Sequence, residues 1–342
     1  MTSTATGPLR LRAQIEQWPL VTPFRITGRT FTANEVIVVS LEANGHVGRG
    51  EAAGMYYKNE TPASMLAQVE AVRTVMEAGV SRESLQEILA AGGARNALDC
   101  ALWDLEAKLS GRAAWQIAEL GKPHPLVTTF TCGADHPQRM SEVARAYVGA
   151  RAIKVKLTGE PIDADRVRAV REARPDAWIA VDANQGFTRN ALERLMPVLV
   201  EMRVALVEQP FPVGQESLLD GWRSPIPIAA DESVQCRSDI PSLVGRFNMI
   251  NIKLDKSGGL TEGLAMARAA RALGLDVMVG NAGGTSLAMA PAFLVGQLCN
   301  VVDLDGPVFQ KADRAITVDY SDGKITCPDG LWGNAGWTGA FV

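Results

Sequence analysis

Histidine is scarce. His46, His124 and His136 are the only three in 342 residues, so no histidine falls after residue 136 and a histidine base in the long C-terminal part is excluded. Cationic runs are missing too: 34 lysines and arginines stand against 38 aspartates and glutamates without clustering. Nucleic-acid binding, which needs clustered cations to neutralise phosphates, is not expected. No apolar stretch approaches the ~20 residues that span a bilayer, and the chain start lacks the apolar segment of a secretory leader. The five cysteines are scattered, odd in number and never spaced Cys-x-x-Cys. They fit reduced thiols of a cytoplasmic protein, with neither a disulfide framework nor a zinc module. No P-loop and no Gly-x-Gly-x-x-Gly follows a candidate strand. What remains is ordinary globular material, 47% hydrophobic and 21% charged, enough for two domains or a barrel with an appendage.

Residues 1–125 read as an α+β unit. Residues 34–42 are β-branched and apolar, and Asn44-Gly45 is a two-residue hairpin signal. Helical spacing takes over after Thr61-Pro62 and again over 94–109, with Gly111 as a stop. Residues 126–312 are repetitive. Eight short apolar segments, at 127–132, 152–157, 178–182, 205–208, 226–231, 249–253, 276–279 and 301–303, alternate with helical stretches. Seven of them end in Lys156, Asp182, Glu208, Asp231, Lys253, Asn281 and Asp303, spaced by 26, 26, 23, 22, 28 and 22 residues. Each spacing fits one βα unit, and eight units predict a (β/α)8 TIM-like barrel. An open doubly wound sheet is the alternative that periodicity leaves standing. Residues 313–342 return to β character around Asp322-Gly323 and are expected to rejoin the N-terminal capping unit.

In such a barrel the active site lies at the C-terminal strand ends. A single aspartate there is usually a helix cap. Asp182, Glu208 and Asp231, on three successive strand ends, would instead converge, repel and lose solvation. A hard divalent cation relieves this, and three carboxylates select Mg²⁺, or Mn²⁺, over Zn²⁺. Lys154 and Lys156 lie two apart on one strand and share a side, with Lys253 about opposite. Surface ammoniums neutralising an acidic site are the plainer reading. The sharper one has two opposed bases, with Lys154 and the metal lowering the pKa of Lys156. One lysine removes a proton α to a carboxylate and the other returns one to the opposite face, inverting the carbon. Asp303 and Asp305 again share a side and suit a cationic substrate group, although a capped turn at Asp305-Gly306 explains them equally on spacing.

These motifs together resemble the enolase superfamily, muconate-lactonizing subgroup: Lys154-Val155-Lys156, Val181-Asp182-Ala183-Asn184, Val207-Glu208-Gln209-Pro210, Ala230-Asp231-Glu232-Ser233 and Ile252-Lys253. Lysine bases working with Mg²⁺ are a known pattern of that superfamily. Asp303-Leu304-Asp305-Gly306-Pro307 resembles the Asp-x-Asp of dipeptide epimerases. The resemblance implies Asp182, Glu208 and Asp231 as Mg²⁺ ligands, Lys156 and Lys253 as acid/base residues, and Lys154 on the substrate carboxylate. It also implies Asp303 and Asp305 on a dipeptide's α-ammonium. Segment 23–30 resembles the capping stretch that places an arginine on a glutamate side chain in L-Ala-D/L-Glu epimerases. Arg29 is the first match, with Arg25 the alternative. Thr131 lies near a substrate-contacting position, and loop 55–59 is expected to close the site, with Lys58 as a second cation. Asn281 departs from the bulkier residues of relatives and is expected to reshape the pocket floor. The expectation is an isomerase epimerising a dipeptide. N-succinylamino-acid racemisation, o-succinylbenzoate synthesis and muconate-type cycloisomerisation are alternatives within the subgroup, and a non-catalytic binder is the alternative outside it. Such folds often form homo-oligomers, but no interface signature stands out.

Overall fold

The computed structural model describes residues 8–26 and 29–334. The chain start, Thr27 and Gly28 of the capping stretch, and residues 335–342 of the tail lie outside the described residues. Strands β1 (Arg10–Ile26), β2 (Arg29–Ala43) and β3 (His46–Ala52) form an antiparallel meander. Asn44 and Gly45 both take positive φ, 50° and 76°, the geometry that a two-residue hairpin demands. Helix Gly93–Ser110 lies directly on β3. A Cβ at Gly48 would sit 2.1 Å from the Ala101 carbonyl oxygen, and one at Gly50 only 2.0 Å from that of Ala97. Only glycine permits this approach. Val39, Leu41, Leu98 and Leu105 fill the resulting core. The register of the long β1 with β2 breaks between Pro19 and Phe24.

After β4 (Leu126–Val127) come eight parallel strands: β5 (Thr129–Cys132), β6 (Ala152–Lys156), β7 (Trp178–Asp182), β8 (Leu206–Glu208), β9 (Ile228–Ala230), β10 (Met249–Ile252), β11 (Asp276–Val279) and β12 (Val301–Val302). Each pairs with its sequence neighbour, and helices such as Asp163–Ala173, Arg189–Glu201 and Leu260–Ala272 fill the intervals. Ala180, Leu206, Ala229, Met249 and Met278 pack together as a buried cluster. Among the described residues, β5 and β12 share no backbone ladder. Side chains close that seam instead. The Leu304 N–H donates to Thr128 Oγ1 at 2.9 Å, Thr129 Oγ1 donates to Asp303 at 2.5 Å, and the Thr131 N–H donates to Asp305 at 2.7 Å. The barrel is thus nearly closed, and its closing bolts include the two aspartates singled out above.

The tail hairpin, β13 (Asp319–Ser321) and β14 (Lys324–Thr326), pairs with β4. Beyond it, Trp332 Nε1 donates to the Arg49 carbonyl at 2.9 Å, and the Gly333 N–H donates to Asp104 at 2.8 Å. Arg314 donates to Glu51 at 2.6 Å, a third contact from this segment to the N-terminal unit.

Candidate active site

The strand register sets the carboxylates side by side. Lys156 pairs with Asp182, and Asp182 with Glu208, at the ends of β6, β7 and β8. Asp231 and Lys253 directly follow β9 and β10. All of these residues are buried. Lys156 Nζ donates to Asp182 Oδ2 at 2.5 Å and to Asn184 Oδ1 at 3.0 Å. Lys253 Nζ donates to Asp231 Oδ2 at 2.6 Å. Lys154 Nζ bonds Asp303 and stands 3.8 Å from Glu208 and 4.0 Å from Asp182.

Among the described residues, no three metal-ligating side chains already converge as a ready-made cluster. Ammonium groups stand between the carboxylates. Yet Glu208 Oε2 is buried without a hydrogen-bond partner, while Oε1 accepts from Asn251 Nδ2 at 2.7 Å. Burial, and then Asp182, push the Glu208 carboxyl up to about 8. An orphaned carboxyl oxygen between two further carboxylates is what a hard cation would satisfy, by favouring the ionised form. The residues fit a divalent metal.

Two of the lysines are held above their ordinary value by the carboxylates around them. Burial works to lower Lys154, but Asp303, Glu208 and Asp182 outweigh it and hold its ammonium above the ordinary value. Burial likewise opposes, and Asp231 and Glu208 overcome, the effect at Lys253, which lies well above its ordinary value. With the carboxylates not neutralised, attraction wins over crowding. Asp231 is held low, since Lys253 and Lys256 outweigh its burial.

Above this layer opens a cavity of about 260 Å³. Its barrel wall carries Thr131, Lys154, Lys156, Lys253, Asn281, Asp303 and Asp305, and its capping wall carries Phe24, Arg29, Phe31, Tyr56 and Tyr57. Asp182, Glu208 and Asp231 are absent from the lining and lie beneath it. Asn281 Nδ2 donates to the Asp303 carbonyl at 2.8 Å, so it braces the aspartate loop. Burial and the neighbouring Asp303 push Asp305 up to about 6. Gly280 leaves room for the lysine opposite, since a Cβ there would lie 3.1 Å from Lys253 Cε. Arg29 stacks at 5.1 Å from the Tyr56 ring and 5.3 Å from the Phe31 ring. Neither Arg25 nor Lys58 lines the cavity. Tyr56 and Tyr57 occupy the lid position, with Tyr57 OH accepting from Gln235 Nε2 at 3.1 Å.

Sequence reasoning missed Asn251, Lys256 and Glu232. Asn251 sits two residues before Lys253 on one strand, the same-side spacing that marked Lys154 and Lys156, so a signal for it existed. Glu232 stands in a quoted motif but was given no role. It is buried, lines the cavity and leaves Oε2 without a partner.

Residues 138–331 match the family described as enolase C-terminal domain-like. Residues 10–118 match the mandelate racemase / muconate lactonizing enzyme N-terminal domain. The chain is 39% identical over 312 residues to an L-Ala-D/L-Glu epimerase of Escherichia coli, covering 91% of this chain and 97% of that protein. An Agrobacterium tumefaciens enolase family member with homology to dipeptide epimerases, solved with sodium and L-Ala-L-Glu, superposes with TM-score 0.92 at 38% identity. That match covers 95% of this chain and all of the other. A Methylococcus capsulatus dipeptide epimerase, solved with Mg and L-Arg-D-Lys, superposes with TM-score 0.86 at 29% identity over 95% of this chain and 98% of that one.

Proposed function

This chain belongs to the enolase superfamily, and from that premise we propose that it is a Mg²⁺-dependent dipeptide epimerase inverting the α-carbon of the C-terminal residue. L-Ala-D/L-Glu is the expected substrate, since one relative is an L-Ala-D/L-Glu epimerase and a solved relative holds L-Ala-L-Glu. The observation that carries the reading is the opposition of two strand-end lysines, Lys156 and Lys253, on β6 and β10, four strands apart in a sheet of eight. Asp182, Glu208 and Asp231 would hold the metal. When bound, Mg²⁺ supplies the positive charge against which a carboxylate can accept further negative charge as its α-proton leaves.

One lysine, as the neutral amine, takes the α-proton, and the other, as the ammonium, delivers one to the opposite face. The exchange is balanced, reversible and needs no other reactant. Asp303 and Asp305 receive the ammonium of the N-terminal residue, with Thr131 and Asn281 fixing their loop. Lys154, already on Asp303, adds positive charge beside the substrate carboxylate. Arg29 faces the cavity from the capping wall, where an acidic side chain would end.

No helix among the described residues is long and apolar enough to cross a membrane. We place the enzyme in the cytoplasm on its scattered cysteines, and its partner is the dipeptide itself. Mass spectrometry of dipeptide libraries in D₂O with Mg²⁺ tests the reading. The expected result is one deuterium added to peptides with acidic C-terminal residues. Absence of a shift in every dipeptide, with exchange into N-acylated amino acids instead, would overturn it.

A further inference from the structure

Among the described residues no larger side chain is fully buried than Lys256. It does not line the cavity, and the two-lysine mechanism gives it no task. Its ammonium spends all three protons on fixed acceptors: Asp231 Oδ1 and the Asp231 carbonyl at 2.6 Å each, and the Asn251 carbonyl at 2.8 Å. It sits in the single helical turn Leu254–Ser257, whose N-cap is Lys253, and its backbone N–H donates to the Lys253 carbonyl at 2.9 Å. Asp231 is therefore held between two ammoniums from one rigid turn, Lys256 on Oδ1 from within and Lys253 on Oδ2 from the cavity.

Lys253 must release Asp231 to reach an α-carbon. A buried carboxylate that gives up one of its cations loses part of what holds it in place, even where a bound metal would remain on it. With Lys256 in place, Asp231 keeps a counterion and its orientation whether or not Lys253 is engaged. The opposite half-site solves the problem differently. When Lys156 leaves Asp182, that carboxylate retains the Asn184 N–H at 2.8 Å on Oδ1 and Lys154 at 4.0 Å. We propose that Lys256 is the positioning residue of the Lys253 half-site, the permanent counterion that frees Lys253 for proton transfer at one face of the substrate. The inference rests on the two-lysine reading above.

The test replaces Lys256 by methionine, Lys256→Met, and separately by glutamine, Lys256→Gln, and measures α-proton exchange in D₂O from each pure epimer. Lys253→Ala first identifies which epimer depends on Lys253. For that epimer, exchange in the Lys256 variants is expected to fall ~10–100-fold, the scale of a misplaced catalytic group, while exchange from the other epimer stays near the wild-type rate. A crystal structure of Lys256→Met without metal or substrate is expected to show the Asp231 carboxylate turned from its wild-type orientation. Equal losses at both faces, no loss at either, or an unmoved Asp231 would overturn the proposal. So would failure of both variants to melt cooperatively, which would assign Lys256 to the fold alone. If the wild-type enzyme exchanges neither epimer, the two-lysine reading falls and takes this proposal with it. If the wild type exchanges both and the variants lose both equally, only the role of Lys256 falls.

Discussion

Along the barrel wall of the cavity, Lys154, Lys156 and Lys253 each rest on a buried aspartate, whereas along the capping wall Arg29 lies exposed against the Phe31 and Tyr56 rings. No carboxylate pairs with Arg29 among the described residues. The barrel groups sit in buried, hydrogen-bonded charge pairs, which leave each of them few arrangements. The capping groups touch aromatic faces, which tolerate many arrangements. On the proposed reading, proton transfer belongs to the first wall and the choice of C-terminal side chain to the second. Substitutions in the two walls should therefore change different kinetic quantities.

The largest effects are expected in the barrel. Lys156→Ala and Lys253→Ala should each lower epimerisation by roughly 10²–10⁴-fold, the usual worth of a general acid or base, in steady-state assays of L-Ala-L-Glu. Each variant should keep exchange of one epimer only, and the two should keep opposite ones. If either variant exchanges both epimers at the wild-type rate, the two-base division is wrong. Next comes Asp303→Asn. It removes a charged partner from the substrate ammonium, worth ~1.5–3 kcal/mol for a hydrogen bond to a charged group, or about 10–100-fold in kcat/KM. An N-acetylated substrate, lacking the ammonium, should lose far less.

Arg29→Met probes the other wall. For acidic C-terminal residues kcat/KM should fall about tenfold, the solvent-exposed guanidinium being partly screened. For Ala-Ala it should not change, and kcat should stay nearly constant. An equal fall for acidic and neutral peptides would mean that Arg29 shapes the lid and does not read the side chain.

The two walls also differed in legibility. The barrel strands and their terminal carboxylates and lysines could be read because each βα unit repeats one apolar-then-polar pattern. The pairing of Lys154 with Asp303 could not, since those residues are 149 apart and meet only when side chains close the β5–β12 seam. Lys256 reads as a surface lysine on a short helix. Its burial comes from packing beneath the barrel mouth, which no local pattern announces. On the capping wall, Arg29 could be matched by resemblance, and of the loop expected to close the site Tyr56 and Tyr57 line the cavity whereas Lys58 does not. Lid chemistry depends on which side of one helical turn faces inward, and a three-residue 3-10 helix is too short to carry a periodic signal.

The smallest expected effect separates the walls by pH. Asp305 is pushed up to about 6 by its burial and by Asp303. Only the ionised carboxylate attracts an ammonium, so affinity for a free dipeptide should weaken as pH falls through about 6. Between pH 7 and 5.5 a group of that pKa changes binding roughly fourfold. Other carboxylates of the mouth, Glu232 at about 7 among them, also titrate and would obscure a single KM profile. The ratio of two profiles removes them. Propionyl-L-Glu is nearly isosteric with L-Ala-L-Glu and lacks the ammonium, so its Ki as a competitive inhibitor shares every pH effect except that of the ammonium site. The ratio KM/Ki should rise as pH falls through about 6 in the wild type and stay flat in Asp305→Asn. A wild-type ratio that is flat would mean that the ammonium rests on Asp303 alone, with Asp305 confined to bolting the barrel seam through Thr131.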